Sequence, residues 1–267
     1  MSTVPAEEPP SLVQVPARGS QSASRAASVL LLLADERRTL SLTEVAQRLG
    51  VAKSSTLGVL VSLEASGLIQ RSENEYGLAP TVLTLANAYL QSDDIVRHFK
   101  RSVPQFTRLR TQIVQLATLV GTDVVFLARH TGRPPLAMTA NVADRFPASI
   151  TAVGTALLAR LDDDEVRARY ADPARFDRWT DSSVTTVDGL LAKLDRTRAE
   201  GFARDLGETN PNVLGLSVAL RSSSHPSGDL AVGVSLRPLS VPESEVQQVV
   251  AELNGLRDSL ESLYVLE

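Results

Sequence analysis

Ser41-Leu42-Thr43-Glu44-Val45-Ala46-Gln47-Arg48-Leu49-Gly50 is followed after two residues by Lys53-Ser54-Ser55-Thr56-Leu57-Gly58. Ser41 and Glu44 have the spacing of a capping box, in which each side chain satisfies a backbone N–H at the start of a helix. Gly50 stands where a helix ends on a left-handed residue. The stretch therefore predicts a short helix, a tight turn and a further helix.

The flanking residues complete a small domain. Helical periodicity begins near Ser24, which has the chemistry of an N-cap, and the third helix is expected over 52–66. Two short alternating segments then flank the polar turn Ser72-Glu73-Asn74-Glu75 and predict a β-hairpin. Helix, short helix, turn, helix and hairpin in this order predict a winged helix-turn-helix over 23–80.

The overall composition is that of an ordinary globular protein, with 43% hydrophobic and 22% charged residues in a chain of 267. This length favours two domains. Residues 1–22 are expected to form a disordered tail, because they combine few large apolar side chains with Pro5, Pro9, Pro10 and Pro16. No apolar run approaches the roughly 18 residues of a membrane-spanning helix, and no secretory signal is recognisable. A cytoplasmic protein without a membrane partner is expected.

Catalytic, metal and cofactor sites are not expected. The chain has no cysteine, which excludes thiolate chemistry and disulfides. No nucleophile elbow and no phosphate-binding glycine loop is present. The acidic run at 162–165 is expected to favour the start of a helix rather than to bind a metal. The histidines are far apart in sequence, with none in a ligand-spaced pair: His98, His130 and His225.

The charge of the N-terminal domain does not by itself indicate nucleic-acid binding. The whole chain has a net charge of −4, and the basic residues of 24–80 are matched by acidic ones. DNA contacts would therefore depend on where charges are placed. A winged helix-turn-helix presents the start of its third helix to the major groove, with the hairpin along the backbone. The candidate DNA-binding residues are Lys53, Ser54, Ser55, Thr56 and Arg71.

An alternative remains open for this domain. Glu73 and Glu75 would repel phosphate, and Gly58 has no side chain with which to read a base. These features favour a small helical domain that contacts a protein partner.

The rest of the chain predicts a connector helix over 81–100 and an α+β domain over 101–267. Strands and helices mix without strict βαβ alternation, which indicates an antiparallel sheet. Strands are expected at 113–120, 124–128, 214–220 and 230–236, and helices at 150–161, 163–170, 188–200 and 243–263.

From about Ser24 to its C-terminus the chain resembles the IclR family of bacterial transcription regulators. The resemblance rests on the order and spacing of four stretches. These are Ser41 to Gly50 with Lys53-Ser54-Ser55-Thr56, Leu60, Leu63-Glu64 and Gly67; the hairpin end Tyr76-Gly77-Leu78; Phe146-Pro147 with Thr151-Ala152-Val153-Gly154-Thr155-Ala156-Leu157-Leu158-Ala159; and Gly201-Phe202-Ala203-Arg204-Asp205-Leu206-Gly207-Glu208 before the paired strands.

The resemblance implies a GAF-like effector-binding domain, a homodimer or tetramer, and control of genes for the catabolism of small carbon sources. It also implies a pocket for a small-molecule effector. The positions carried over from the family as pocket-lining are Met138, Phe146, Ala152, Val153, Asp205, Gly215, Val234 and Leu236.

Two departures from the family pattern affect its implied sites. Leu57 and Gly58 stand where the family commonly has a histidine and a basic residue, so the usual base contacts are not expected. Positions often filled by Cys and Ser correspond to Gly215, Val234 and Leu236. Fewer polar groups favour an effector larger and more apolar than glyoxylate or pyruvate, for example an aromatic acid.

Two features of the implied pocket have alternative interpretations. Ser149 or Thr151 would cap a helix whose free N–H groups suit a carboxylate, but the small residues Ala152, Val153 and Gly154 would also let that helix pack on the sheet. Asp205 would bond to an effector or the backbone, or would serve as a cap or an ion-pair partner.

The sequence thus predicts a DNA-binding transcription regulator whose operator binding is modulated by an organic or aromatic acid. The competing hypothesis is a ligand-sensing protein-interaction module that has lost sequence-specific DNA binding.

Overall fold

The computed structural model describes residues 20–36, 38–92, 94–132, 140–221, 228–237 and 241–264. The chain divides into two compact units, Met1–Leu90 and Gln91–Glu267. Each unit has its own hydrophobic core and is described separately.

The first unit is a three-helix domain with a small sheet. Its strands are antiparallel in the order β1-β3-β2. Its core is formed by Val29, Leu33, Leu40, Val45, Leu60, Leu63, Ile69 and Tyr76. The elements are α1 (Gln21–Glu36), β1 (Leu40–Ser41), α2 (Leu42–Leu49), α3 (Lys53–Ala65), β2 (Ile69–Ser72), β3 (Glu75–Leu78) and, at its end, α4 (Thr81–Ser92).

The predicted capping box and turn are present. Ser41 Oγ accepts a hydrogen bond from the N–H of Glu44 (3.3 Å), and the Glu44 carboxylate accepts one from the N–H of Ser41 (2.8 Å). The hydrogen bonds from Ser41 lower the pKa of Glu44 to about 2. Gly50 ends α2 in the left-handed conformation, with φ of 62°. The capping box thus defines the start of α2, and Gly50 defines its end.

The start of α1 differs from the prediction. The helix begins at Gln21, and the N–H of Ser24 donates to the carbonyl of Ser20. Ser24 is therefore inside the first turn rather than at the N-cap. The last residues of the predicted tail, 21 and 22, are helical, and residues 1–19 lie outside the described residues.

The helix expected over 81–100 is described as two helical segments, α4 and α5 (Asp94–Ser102), between which residue 93 lies outside the described residues. They differ in their surroundings. Ile95, Val96 and Phe99 of α5 are buried in the core of the second unit, whereas no residue described in α4 is buried.

The second unit is built on a six-stranded antiparallel sheet in the order β6-β5-β4-β9-β8-β7. Its strands are β4 (Ile113–Val120), β5 (Asp123–Thr131), β6 (Arg145–Pro147), β7 (Ala203–Leu206), β8 (Leu214–Ala219) and β9 (Leu230–Leu236). Its helices after α5 are α6 (Ala152–Leu158), α7 (Asp163–Arg169), α8 (Val187–Glu200) and α9 (Glu243–Glu261). Short 3-10 turns occur at Val103–Gln105, Leu109–Thr111, Pro173–Arg175 and Ser262–Tyr264.

Helices cover both faces of this sheet, which gives the unit two cores. One face packs against α5 and α9 through residues such as Val114, Val234 and Leu256. The other packs against α6, α7 and α8 through residues such as Ala117 and Val153. Among the described residues, no helix combines the length and the apolarity needed to cross a bilayer.

Candidate functional sites

A cavity of about 250 Å³ lies in the second unit, beside α6 and the central strands. Residues of all six strands of the sheet, the start of α6 and neighbouring loops surround it. No lysine or arginine among the described residues lines it. The lining comprises Gln115, Phe126, Ala140, Phe146, Thr151, Ala152, Val153, Trp179, Asp205, Thr209, Asn210, Val213, Gly215, Leu216, Gly233, Val234 and Ser235.

The start of α6 approaches the sheet and a neighbouring turn very closely. Thr151 is the N-cap, because its hydroxyl accepts a hydrogen bond from the N–H of Gly154 (3.1 Å). A Cβ at Gly154 would lie 2.3 Å from backbone atoms of Ala148, and one at Gly233 would lie 2.6 Å from Val153. The small residues here therefore serve packing, as one interpretation of the sequence holds. The same packing brings Ala152 and Val153 to the cavity wall.

An aromatic cluster forms one wall of the cavity. The ring of Phe146 meets that of Phe126 edge to face, with centroids 5.4 Å apart, and that of Trp179 at 4.8 Å. Trp179 is 41% exposed, so one side of its indole is open to solvent. This wall suits a flat apolar group.

Asp205 caps a turn at the cavity wall. One carboxylate oxygen accepts hydrogen bonds from the N–H of Glu208 (2.6 Å) and of Thr209 (3.4 Å), and the other accepts from the Thr209 hydroxyl. Burial raises the pKa of Asp205 to about 6. Arg204 instead pairs with Glu200 (3.0 Å) and Glu243 (2.8 Å). Among the alternative roles for Asp205, capping of the turn is the one that explains its hydrogen bonds within the chain.

A buried ion pair lies behind the same turn. The Lys193 ammonium on α8 contacts the Glu208 carboxylate, and both side chains are 9% exposed. Lys193 also donates to the carbonyl of Ser149 (3.0 Å), just before α6. Ser183, close to Trp179 in sequence, donates through its hydroxyl to the carbonyl of Glu208 (2.9 Å). The pair thus connects three loops that contribute to the cavity.

Gln115 is the polar side chain at the cavity that the fold does not explain. It lies in the middle of β4, opposite Gly233 of β9, and is 9% exposed. Its amide has no hydrogen-bond partner among the described residues, although a buried amide ordinarily has one. An amide that faces a cavity can donate to and accept from a molecule bound there.

The structure brings most of the predicted pocket residues together. The cavity is lined by Phe146, Ala152, Val153, Asp205, Gly215 and Val234, while Met138 lies outside the described residues, as does His225. Leu236 corrects the prediction. It is buried in the core on the α5–α9 face, so it does not line the cavity. Since side chains alternate along a strand, positions 233 and 235 face the cavity, whereas Val234 borders it although its side chain packs in the same core as Leu236.

Sequence reasoning missed several cavity residues. Gln115 carried a usable signal, since it interrupts the apolar strand Ile113-Val114-Gln115-Leu116-Ala117. Trp179, Thr209 and Asn210 come from loops, whose position depends on tertiary contacts. Their sequence pattern does not indicate a common site.

The start of α3 in the first unit presents some of the predicted DNA-binding residues and not others. Lys53 and Ser54 are exposed, and Ser55 is half-buried. Thr56 corrects the prediction: it is 2% exposed, and its hydroxyl donates to the carbonyl of Ala52 (3.2 Å). Thr56 faces the core with Leu60 and therefore cannot reach a base.

The hairpin holds Arg71 against itself. The guanidinium donates to the carbonyl of Glu73 (3.0 Å) and to the Asn74 side chain (3.2 Å), and it lies over the ring of Tyr76. Arg71 remains exposed. The contacts of Arg71 stabilise the turn, and the solvent-facing side of its guanidinium remains accessible.

The charges of this unit are distributed unevenly. Arg38 pairs with Glu44 (3.0 Å) and Glu36 (3.4 Å), and Arg48 pairs with Glu36 (3.3 Å). Lys53 has no ion-pair partner among the described residues. A unit that is neutral overall therefore has a free cation at the start of α3.

Comparison with known proteins identifies the family of both domains. The IclR helix-turn-helix domain matches residues 22–73, and the C-terminal domain of bacterial IclR transcriptional regulators matches residues 87–260. The glycerol operon regulatory protein of Streptomyces coelicolor is 30% identical over 223 residues, which cover 82% of this chain and 85% of that protein. The transcriptional regulator KdgR of Escherichia coli is 27% identical over 223 residues, covering 82% and 83%.

The fold is also similar to solved structures. An IclR homologue from Microbacterium hydrocarbonoxydans, crystallised with 4-hydroxybenzoate, superposes with a TM-score of 0.68 at 20% identity, covering 91% of this chain and 100% of that one. The family matches cover the winged helix-turn-helix and the GAF-like domain in the expected order. The chain is a DNA-binding regulator modulated by a small-molecule effector, and it belongs to the IclR family of bacterial transcriptional regulators.

Proposed function

We propose that the cavity beside α6 is the effector site and that Gln115 orients the effector by hydrogen bonding. The observation that carries this proposal is the buried Gln115 amide, which has no partner among the described residues and faces the cavity. A hydrogen bond between this amide and a polar group of a bound molecule would contribute about 0.5–1.5 kcal/mol.

The effector that fits best is an organic acid with a flat apolar body, such as an aromatic acid. Phe126, Phe146 and Trp179 offer a surface for a ring. Because no described basic side chain lines the cavity, neutral donors would hold the carboxylate. Gln115 and Ser235 are such donors. A glyoxylate or pyruvate molecule would leave most of the cavity unfilled.

In this proposal the duplex is contacted by the start of α3 and by the hairpin. Lys53 would reach a phosphate, and the free N–H groups at the start of α3 would favour another, since Ala52 supplies no side-chain cap. Ser54 is placed to reach a base edge. Ser55 and Arg71 would contact the backbone beside it.

The regulator would act as a homodimer or tetramer, because one recognition helix covers only a few base pairs. Leu83 and Leu85 of α4 are 71% and 59% exposed, which makes this helix a candidate surface for a second copy. The proposed limits are 23–80 for the DNA-binding domain, 81–100 for the linker and 101–267 for the effector domain. No catalytic role is assigned to either domain.

A protein-interaction module without DNA binding is the second candidate. It is favoured by the exposed Glu73 in the hairpin turn and by the ion pairs that neutralise Arg38 and Arg48. Whether the chain binds duplex DNA distinguishes the DNA-binding regulator from the protein-interaction module. A gel shift with the intergenic region upstream of the gene, at low and physiological salt, is expected to show a complex that weakens as salt rises.

Calorimetry with pyruvate, glyoxylate, benzoate and 4-hydroxybenzoate tests the effector site. The aromatic acids are expected to bind, and Gln115→Leu should lower their affinity about tenfold. Gln112→Leu makes the same change outside the cavity and should have no effect. Tight binding of a two- or three-carbon acid without binding of an aromatic acid would contradict the proposal, as would unchanged affinity in Gln115→Leu.

A further inference from the structure

Four residues form the middle of the solvent-facing side of α3, and this surface is named the outer strip: Ser54, Leu57, Gly58 and Val61. Their spacing of three, four and seven residues places them on one face of the helix. Leu57 is 42% exposed and Val61 is 54% exposed. The opposite face holds the buried residues Thr56, Leu60 and Leu63.

The outer strip contains none of the side chains that read bases through paired hydrogen bonds. Arginine or lysine with guanine, and asparagine or glutamine with adenine, are the usual pairs, and the strip has no such residue; Lys53 precedes it at the start of α3. The nearby hydroxyl of Ser62 donates to the carbonyl of Gly58 (2.9 Å). Only the hydroxyl of Ser54 and two branched apolar side chains face outward from the strip.

Gly58 has no structural purpose within the described residues. A Cβ at this position would meet nothing within 4 Å, and the residue is helical. Glycine inside a helix costs about 1 kcal/mol relative to alanine. A surface that approaches α3 closely from outside would account for it.

The charge next to the strip indicates what that surface is. Lys53 begins α3 and has no ion-pair partner among the described residues, and the first N–H groups of the helix have no side-chain cap. Both favour phosphate. A polyanion that also presents apolar groups in a groove would match both the positively charged start of α3 and the apolar outer strip.

We propose that Leu57 and Val61 contact the C5-methyl groups of thymines in the major groove, with Gly58 allowing the helix to lie close to the bases. Thymine is the base that presents a methyl group there, and apolar side chains recognise it by contact. This inference rests on the proposed DNA-binding role of α3. It names the operator feature that the strip selects, namely A·T pairs with their thymine methyls toward α3.

The test uses the full-length chain to select duplexes from a random-sequence pool, and then replaces each thymine of a selected site with uracil. This change removes only the methyl group. At the contacted positions, uracil is expected to weaken binding about three- to fourfold, equivalent to ~0.8 kcal/mol per buried carbon group. At other positions it should have no effect.

Alanine variants show which apolar side chain contacts which thymine methyl group. Leu57→Ala should abolish the uracil effect at one position of each half-site, and Val61→Ala should abolish it at another. Val120→Ala removes an equally exposed apolar side chain of the second unit (42% exposed) and should retain both effects.

The possible outcomes distinguish a failure of thymine recognition from a failure of DNA binding itself. Selected duplexes that bind equally well with uracil would overturn thymine recognition and leave DNA binding intact. Uracil effects that persist in both variants would overturn the assignment to Leu57 and Val61. If no duplex is retained at any salt concentration, both proposals fail.

Discussion

Lys193 on α8 and Glu208 in the turn after β7 form an ion pair in the interior of the effector domain, each side chain 9% exposed. Lys193 also donates to Ser149 before α6, and Glu208 accepts from the N–H of Val184 (3.2 Å). The pair therefore joins the loops that carry Thr151, Trp179 and Thr209 to the cavity.

Removing one partner of this pair should destabilise the domain strongly. Lys193→Met leaves the Glu208 carboxylate buried without its cation, and such a change costs roughly 3–5 kcal/mol in unfolding free energy. Urea denaturation measures the change. Arg178→Met, which breaks an exposed pair with Asp181, should cost less than about 1 kcal/mol. Equal effects of the two changes would contradict this account of the interior pair.

Asp205 should make the stability of the effector domain depend on pH. Its pKa in the folded chain is about 6, above the ordinary value of 3.8, so the folded state holds a proton that the unfolded state releases. The resulting stabilisation is present at low pH and is lost as the pH rises through 6. Asp205→Asn does not titrate, so relative to wild type it should gain roughly 2 to 3 kcal/mol between pH 4 and pH 8. A constant difference in unfolding free energy across that range would contradict the prediction.

Trp179 should contribute to effector binding more than to stability. The indole is 41% exposed and meets the ring of Phe146 at the cavity. Trp179→Ala should lower the affinity for an aromatic acid about tenfold. This change is consistent with the loss of an aromatic pair, worth ~0.5–1.5 kcal/mol, together with reduced burial of the ligand. Calorimetry measures the affinity, and thermal unfolding should change little. A large fall in melting temperature with unchanged affinity would show that the side chain is structural.

Gly58→Ala should separate stability from DNA binding. The added methyl group meets no atom within 4 Å, so the unfolding free energy of the first unit should rise by up to ~1 kcal/mol. DNA affinity should fall, because the same methyl group would hold the duplex away from α3. Urea denaturation and fluorescence anisotropy with a selected duplex measure the two quantities. Increased stability with unchanged affinity would mean that nothing approaches Gly58 closely.

Local signals in the sequence predicted much of the fold. The capping box of Ser41 and Glu44 and the left-handed Gly50 define α2 through contacts within a few residues, and the apolar segments at 113–120 and 230–236 give the bounds of β4 and β9. Three short strands were missed. β1 has two residues, β6 contains Pro147 and β7 carries Arg204 and Asp205, so none shows an alternating apolar pattern.

The site was harder to predict, because its residues meet only through tertiary packing. The family resemblance indicated the α6 start and Asp205, but it placed Leu236 at the cavity, where strand alternation turns that side chain to the other face. Thr56 was misplaced for a similar reason. A hydroxyl at the start of α3 looked exposed in sequence, whereas the helix turns it into the core.

The salt dependence of DNA binding in wild type and in Lys53→Ala tests most directly whether α3 is the helix that faces the duplex. Fluorescence anisotropy with a selected duplex over a range of salt concentrations gives the affinity and its slope. Lys53→Ala should weaken binding to all sequences alike and reduce the slope by about 0.9 for each phosphate that the Lys53 ammonium neutralises. Lys100→Ala, which makes the same charge change at an exposed position of α5, should do neither. A Lys53→Ala variant with the affinity and slope of wild type would contradict the placement of α3.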